Sequence, residues 1–203
     1  FMAAQMAVLI IMDLVSRKWL STVVSSQETS IQVEVGFSRA LRAEGIDKIL
    51  ADRAAQAAAG WHGPQLPVLL AMSDNGPQMR SGDTAEYMAM SSILQHFGRP
   101  GTPEDQGWIE SLNGHLKGEY PHLTKIRDPA TLRAELDVVR EHYNTVRLHE
   151  GIGYVTPDDE HNGRGPAIRQ ARRDGMEIAH QRRLAAHRAT RSTRLGNDPT
   201  DGA

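Results

Sequence analysis

Val68-Leu69-Leu70-Ala71-Met72-Ser73-Asp74-Asn75-Gly76-Pro77 is the stretch on which the reading of this chain turns. Its apolar run reads as a strand ending at Asp74, preceded by Pro64 and Pro67, and Asn75-Gly76-Pro77 is a turn cluster. A carboxylate at the end of a strand stands where active sites of α/β folds gather. The same residue has a plain local explanation, because Asp-Asn-Gly is itself a turn signal and the Asp can cap the segment that follows.

Upstream, Val8-Leu9-Ile10-Ile11-Met12 is continuously apolar, as expected of a strand covered on both faces. Asp13-Leu14-Val15-Ser16-Arg17 makes a turn into the β-prone Trp19-Leu20-Ser21-Thr22-Val23-Val24, so the two strands predict a hairpin. Thr29 with Gln32 matches a capping box opening a helix to about Glu44, closed by Gly45. Ile31, Val35 and Ser38 share one side of it, and Val33, Phe37 and Leu41 widen its apolar face. Ala51 to Ala59 predicts a further helical piece ending at Gly60.

Downstream, Thr84 to Met90 favours a short helix, and Phe97 to Pro103 is irregular. A helix begins near Glu104 or Asp105 and carries Glu110. Asp128-Pro129 pairs an N-cap with a proline at the first helical position, and Leu132, Leu136, Val139 and Tyr143 mark the helix behind it. Beyond Pro157 the chain turns polar and glycine-bearing through Gly165, which reads as a linker. Strands followed by alternating helices and strands indicate an α/β domain with a mixed sheet.

At 203 residues the chain has room for one medium domain and an appendage. Its 39% hydrophobic and 24% charged content is that of an ordinary soluble protein. Cysteine is absent, which excludes a disulfide framework and thiolate metal ligation and suits a reducing, cytoplasmic location. The apolar start at 6–12 is too short to span a bilayer and lacks the flanks of a signal peptide, so no membrane partner is expected. The net charge of −2 conceals a division: nine arginines between Arg164 and Arg194 against Asp174 and Glu177 leave that segment at +7 and the remainder at −9. A basic segment on an acidic body suits a polyanion contact, and equally a solvated helix face or a disordered tail.

Glu110 lies downstream of Asp74, with residues 75 to 109 between them, thirty-five in all. Asn113, Gly114 and Lys117 follow on Glu110's side of the helix. A strand-end Asp and a helix-borne Glu brought together can hold divalent cations for phosphodiester chemistry, with the amide and lysine gripping metal, base or phosphate. The set is also compatible with an ordinary solvated stripe.

Ser73-Asp74-Asn75-Gly76-Pro77-Gln78 and Gly101-Thr102-Pro103-Glu104-Asp105-Gln106-Gly107-Trp108-Ile109-Glu110-Ser111-Leu112-Asn113-Gly114-His115-Leu116-Lys117-Gly118-Glu119, at that separation, resemble the DDE-type integrase catalytic core of bacterial insertion-sequence transposases and retroviral integrases. Met12 to Trp19 resembles that core's second and third strands, and Tyr143 to His149 with Tyr154-Val155-Thr156-Pro157 resembles the end of its domain. The similarity covers residues 1 to 160, leaving 161 to 203 as a basic tail, helical or disordered.

The resemblance implies a ribonuclease H-like fold, a mixed sheet flanked by helices. It also implies metal-dependent DNA strand transfer by two magnesium (or manganese) ions, with transposon ends and target DNA as partners and a homo-multimer as the working form. Asp74 becomes the second catalytic Asp and Glu110 the final Glu, both metal ligands. Lys117 becomes a contact to the DNA end, with Asn113 beside it. Arg172, Arg173, Arg182 and Arg183 of the tail are candidate DNA contacts outside the resemblance. Other readings are a non-catalytic DNA-binding remnant acting through that tail, and a ribonuclease H-like nuclease of different purpose.

Asp13 does not complete the triad. It matches a recurrent Asp in the turn between the second and third strands, where it can cap the turn and pair with Arg17 or Lys18. The family's first Asp sits in an Asp-x-Thr motif on a first, central strand, and nothing between Phe1 and Met12 is acidic. That strand is therefore expected before Phe1, and its loss leaves facing strand edges without ladder partners and a chain of low stability. The expected outcome for this chain alone is no magnesium-dependent strand transfer on duplex oligonucleotides; robust joining of a 3′-hydroxyl end to target DNA is the contrary result.

Overall fold

A two-residue strand β1 (Met2–Ala3) pairs antiparallel with the start of β2 (Met6–Met12), and β2 forms the expected hairpin with β3 (Trp19–Ser25). Ala7 faces Ser25 and Ile11 faces Ser21, with a register shift between Ile11 and Met12. The computed structural model describes residues 2–3, 6–61, 63, 66–99 and 107–196. β2 is apolar throughout because both of its faces are covered. Val8 joins Met6 and Trp19 in a buried cluster against which Ile10 and Met12 pack. Leu9 and Ile11 lie on the other face, beneath Gly36 of helix α1 (Ser30–Ala43).

Helix α1 begins at the capping box, with the Thr29 N–H donating to Gln32 Oε1 at 2.9 Å. Its buried residues are Val33, Gly36, Ala40 and Leu41, whereas Ile31 is 67% exposed. The buried stripe is thus rotated from one centred on Ile31 and Val35. The reason is close approach: a Cβ at Gly36 would come within 2.7 Å of Leu9 Cδ2, so the helix lies on the hairpin through its smallest residue. Gly45, at φ +69, ends α1 and opens α2 (Ile46–Ala58).

The strand leading to Asp74 is β4 (Leu69–Ser73). After it come α3 (Gly82–Met90) and β5 (Ile93–Phe97), which runs parallel to β4 with Leu69 opposite Ile93 and Ser73 opposite Phe97. β5 is absent from the sequence reading: five residues that include Gln95 and His96 carry no strand periodicity, and only pairing with β4 defines them. Then follow α4 (Gly107–Glu119), a 3-10 turn at Pro121–Lys125, and α5 (Pro129–Thr145), which is capped by Asp128 as expected. The expected start of α4 at Glu104 or Asp105 lies outside the described residues.

The polar sequence from Pro157 behaves differently from the expected linker. Thr156 caps α6 (Pro157–His161), accepting the Asp159 N–H at 3.1 Å. His161 then bridges Ser16 Oγ at 3.0 Å and Glu44 at 2.7 Å, and Lys18 reaches Asp158 at 3.2 Å. The polar residues here are ion-pair partners for the hairpin turn and the end of α1. The chain continues as α7 (Gly165–Gly196), a single long helix.

The strands form two sheets, β1-β2-β3 and β4-β5. Among the described residues, Leu9 to Met12 have no strand partner on the side away from β3, and β4 has none on the side away from β5. A groove of about 520 Å³ lies between these two margins and is lined by both strands. Facing strand margins without a shared neighbour were expected from the sequence, and these two answer to that among the described residues. Helix α1 spans the gap, lying on the hairpin at Gly36 and adding Val33 and Leu41 to a second cluster with Ala71, Met79, Met88 and Ile93. Leu70 and Leu94, side by side on β4 and β5, remain 55% and 56% exposed.

The far margin of the hairpin is closed differently. Asn144 of α5 accepts the Trp19 N–H and donates to the Trp19 carbonyl, both at 2.9 Å, so one buried amide takes the place of a neighbouring strand. Arg140 and Arg39 donate to the Leu20 and Thr22 carbonyls. Trp19 itself is 1% exposed and meets Tyr143 edge to face. Asn144→Ala leaves a buried N–H and C=O unpaired and is expected to lower unfolding free energy by about 3 kcal/mol, read by urea denaturation. A change within about 0.5 kcal/mol would remove Asn144 from this role.

Candidate active site

Asp74 follows β4 directly, and its turn explains its position. Its Oδ1 accepts the Gly76 N–H at 2.9 Å, and Asn75 Nδ2 donates to the Gly98 carbonyl at 2.8 Å, tying the turn to the end of β5. A Cβ at Gly76 would stand 2.7 Å from Gln78 Nε2 and 2.9 Å from Asp74 Oδ1, so a larger residue there would displace the Gln78 amide and crowd the Asp74 carboxylate. The turn-capping role is therefore real, and it occupies one carboxylate oxygen. The other has no protein partner among the described residues.

Glu110 lies in the first turn of α4, exposed, with Asn113 one turn further on. Asp74, Glu110 and Asn113 all line the groove between the two sheets. Lys117 is exposed on the same side of α4, beyond the groove's lining. The two carboxylates on which the sequence reading rests are thus delivered to one cavity by separate elements.

What fixes α4 lies on its other sides. Leu112 and Leu116 are buried in the cluster with Trp19, Leu132 and Leu136. Arg17, held at φ +65 in the hairpin turn, places its guanidinium 3.4 Å from the centroid of the Trp108 ring. Such a contact contributes about 1 kcal/mol and joins the first turn of α4 to the hairpin. At the helix end Glu119 pairs with Arg147 and with His115 Nδ1, the latter at 3.2 Å. The hydrogen bond from Arg147 holds the Glu119 carboxyl below its ordinary range, against the opposing effect of burial. Of these charged and aromatic residues only Arg17 was given a partner from sequence, Asp13 and not α4, although Trp108 stands two positions from Glu110 and Arg147 falls within the Tyr143 to His149 block.

Asp13 also borders the groove, and its Oδ1 is taken up by the turn, accepting from the Val15 and Ser16 N–H groups and from the Ser16 hydroxyl. Burial raises its carboxyl; hydrogen bonds from the Ser16 N–H and hydroxyl, the His161 charge and the Val15 N–H outweigh that and hold it below the usual range. It caps the hairpin turn, as a non-catalytic Asp was expected to do. Of the two expected partners, Arg17 feels the Asp13 charge but lies over Trp108, and Lys18 meets Glu44 and Asp158.

None of Arg172, Arg173, Arg182 and Arg183 lines the groove. Arg172 is anchored to the body, donating to the Gly153 and Tyr154 carbonyls at 3.0 and 2.9 Å. Carboxylate and amide oxygens are the donor type that magnesium and manganese take. Among the described residues, however, no three acidic or histidine side chains converge as a cation site, so Asp74 and Glu110 fall short of a full donor set by themselves. No helix of the described residues is long and apolar enough to cross a membrane.

Residues 91–157 match the Integrase core domain family model, a segment that contains Glu110 and begins after Asp74. The transposase for insertion sequence element IS904 of Lactococcus lactis subsp. lactis (strain IL1403) is 30% identical over 126 residues, which is 62% of this chain and 48% of that protein. The chain thus spans about half the length of this curated relative. Among solved structures, the catalytic core domain of BIV integrase superposes with a TM-score of 0.53 at 20% identity, covering 79% of this chain and 91% of that one. A chain of the simian T-cell lymphotropic virus intasome in complex with PP2A regulatory subunit B56 gamma gives 0.50 at 18% identity, covering 75% and 46%. At these identities the structural likeness is one of fold.

The groups beside α4 make stability pH-dependent. Burial, then the charges of Arg147, His115 and Arg17, press the His149 imidazole down to about 4, and its buried Nε2 has no hydrogen-bond partner among the described residues. Unfolded histidine takes up its proton near pH 6.5, whereas the folded ring resists until about 4. The native state is therefore favoured above pH 6.5 and loses that advantage as pH falls toward 4. The urea midpoint should be flat above pH 7 and drop between 6.5 and 4, with His149→Gln flattening the drop. An unchanged pH profile in that variant would assign the effect to other groups.

Proposed function

From the premise that this chain carries an integrase/transposase core, we propose that it serves metal-dependent DNA strand transfer in DNA integration and transposition, with Asp74 and Glu110 as two of its catalytic carboxylates. The observation that supports the reading is that both line one groove between two strand margins that, among the described residues, lack a shared neighbour. A strand seated between β2 and β4 would pair with both margins and could bring the third carboxylate to the end of the groove where Asp74 stands. With that carboxylate in place, Asp74 and Glu110 would hold magnesium or manganese, whose chemistry there is to activate an attacking oxygen and stabilise the leaving one.

The residues of the chain itself have separable tasks. The Gly76 N–H orients Asp74, and the Arg17–Trp108 contact sets the first turn from which Glu110 projects. Asn113 stands on the groove wall, and Lys117, a point charge on the same helix side, is suited to a DNA phosphate beside it. Transposon ends and target DNA are the proposed partners, and a homo-multimer the proposed working form. The intasome likeness supports that assembly at the level of fold.

The reading is tested by fusing a strand bearing Asp-x-Thr ahead of Phe1 and assaying transfer of a 3′-hydroxyl DNA end with magnesium or manganese. Asp74→Asn and Glu110→Gln are each expected to lower the rate by at least about a hundredfold with unchanged circular dichroism. Transfer that survives either substitution would assign the chemistry elsewhere. The competing reading, a non-catalytic DNA-binding remnant, predicts DNA binding without transfer in every variant.

A further inference from the structure

Helix α7 leaves the body soon after Arg169, which pairs with Glu160, and Arg172. From Asp174 to Arg191 nearly every residue is exposed, over about 26 Å of helix axis. An isolated helix of this kind is marginal in water, since it buries no apolar stripe and carries mostly one sign of charge. Local bonds help: Gln170 donates to Asp174, and Gln181 to Glu177, both at 2.7 Å. They do not neutralise its arginines.

The charges are not spread evenly around the helix. Arg173, His180, Arg183, His187 and Arg191 succeed one another at steps of 7, 3, 4 and 4 residues, which places them on one side. Arg182 and Arg188 fall roughly a quarter-turn or more away. Asp174 lies off the stripe, whereas Glu177, four residues after Arg173 and three before His180, borders it; both carboxylates are engaged by glutamines. Away from the stripe stand Ala171, Gly175, Ile178 and Ala185, small or aliphatic, without an aromatic residue anywhere in α7.

We propose that α7 binds duplex DNA through the single face formed by Arg173, His180, Arg183, His187 and Arg191. Guanidinium groups pair with phosphate oxygens bidentately, so a row of them along a straight helix is complementary to a sugar-phosphate backbone. The major groove of B-form DNA admits an α-helix, whereas that of A-form RNA is too deep and narrow. Single-stranded nucleic acid calls for aromatic stacking platforms, which α7 lacks. A membrane surface calls for Trp, Phe or Leu opposite the charges, and this helix offers chiefly alanine and glycine there. The proposal deepens the reading of the chain as a DNA-acting core, yet needs neither metal nor the groove.

The test measures binding of a labelled duplex by the full chain in EDTA, across a salt series, by fluorescence anisotropy. Arg183→Gln with Arg191→Gln removes two charges from the face; Arg182→Gln with Arg188→Gln removes two from elsewhere on the same helix. The first pair is expected to weaken binding about tenfold near 0.1 M salt and to reduce the salt slope by about two, while the second stays within twofold of the parent. Arg183→Lys with Arg191→Lys should recover the salt slope, which separates loss of charge from loss of helix. Equal weakening by both glutamine pairs, no weakening by either, or tighter binding to single-stranded RNA or to anionic vesicles than to the duplex would each overturn the proposal. Binding in EDTA that depends on Arg183 and Arg191 stands whether or not Asp74 and Glu110 carry catalysis, so failure of the helix and failure of the catalytic reading are told apart.

Discussion

Backbone amides and carbonyls must find partners, and in this fold that requirement is met on one margin of the hairpin and left open on the other. At β3 the partner is a set of side chains: Asn144 clasps the Trp19 backbone, and Arg140 and Arg39 take neighbouring carbonyls. At β2 and β4 the margins face a groove instead. The candidate carboxylates are arranged around that opening. Asp74 ends one of its walls, Glu110 and Asn113 come down from α4, and α1 spans it through the close contact at Gly36. Two separate buried clusters, one on the hairpin with α4 and α5 and one on β4 and β5 with α1 and α3, are the packing counterpart of the divided sheet.

Much of this was legible because local signals and burial agree. The unbroken apolar run at 8–12 required two covered faces, and it has them. Thr29 with Gln32, and Asp128 with Pro129, announced helix starts through chemistry that does not depend on distant residues. The failures share a cause. β5 is a strand only by virtue of β4, α6 is ordered by ion pairs with residues more than a hundred positions away, and the buried face of α1 is set by a glycine that periodicity scores as neutral. In each case the deciding partner is remote in sequence.

The candidate site divides the same way. Asp74 and Glu110 stood out by residue type and separation, and the cavity they share could be anticipated from strand-end and helix placement. Their supports could not. Arg17 over Trp108, and the Glu119, Arg147 and His115 group near His149, are contacts between segments that no spacing rule links. Nor could the anchoring of Arg172 by two carbonyls of the Gly153 turn be read from an arginine-rich composition.

The clasp of Trp19 by Asn144 joins residues 125 positions apart, and the link from Ser16 to His161 spans 145. During synthesis at a ribosomal pace, the hairpin emerges roughly 6–25 s before the helix that closes its margin. For that interval the apolar strand β2 has neither its α5 cover nor its edge partner, and β4 follows with an open edge of its own. The amide that seals this margin thus arrives long after the strand it seals, and nascent chains stalled short of residue 144 would present paired but unsealed strands to whatever else is nearby.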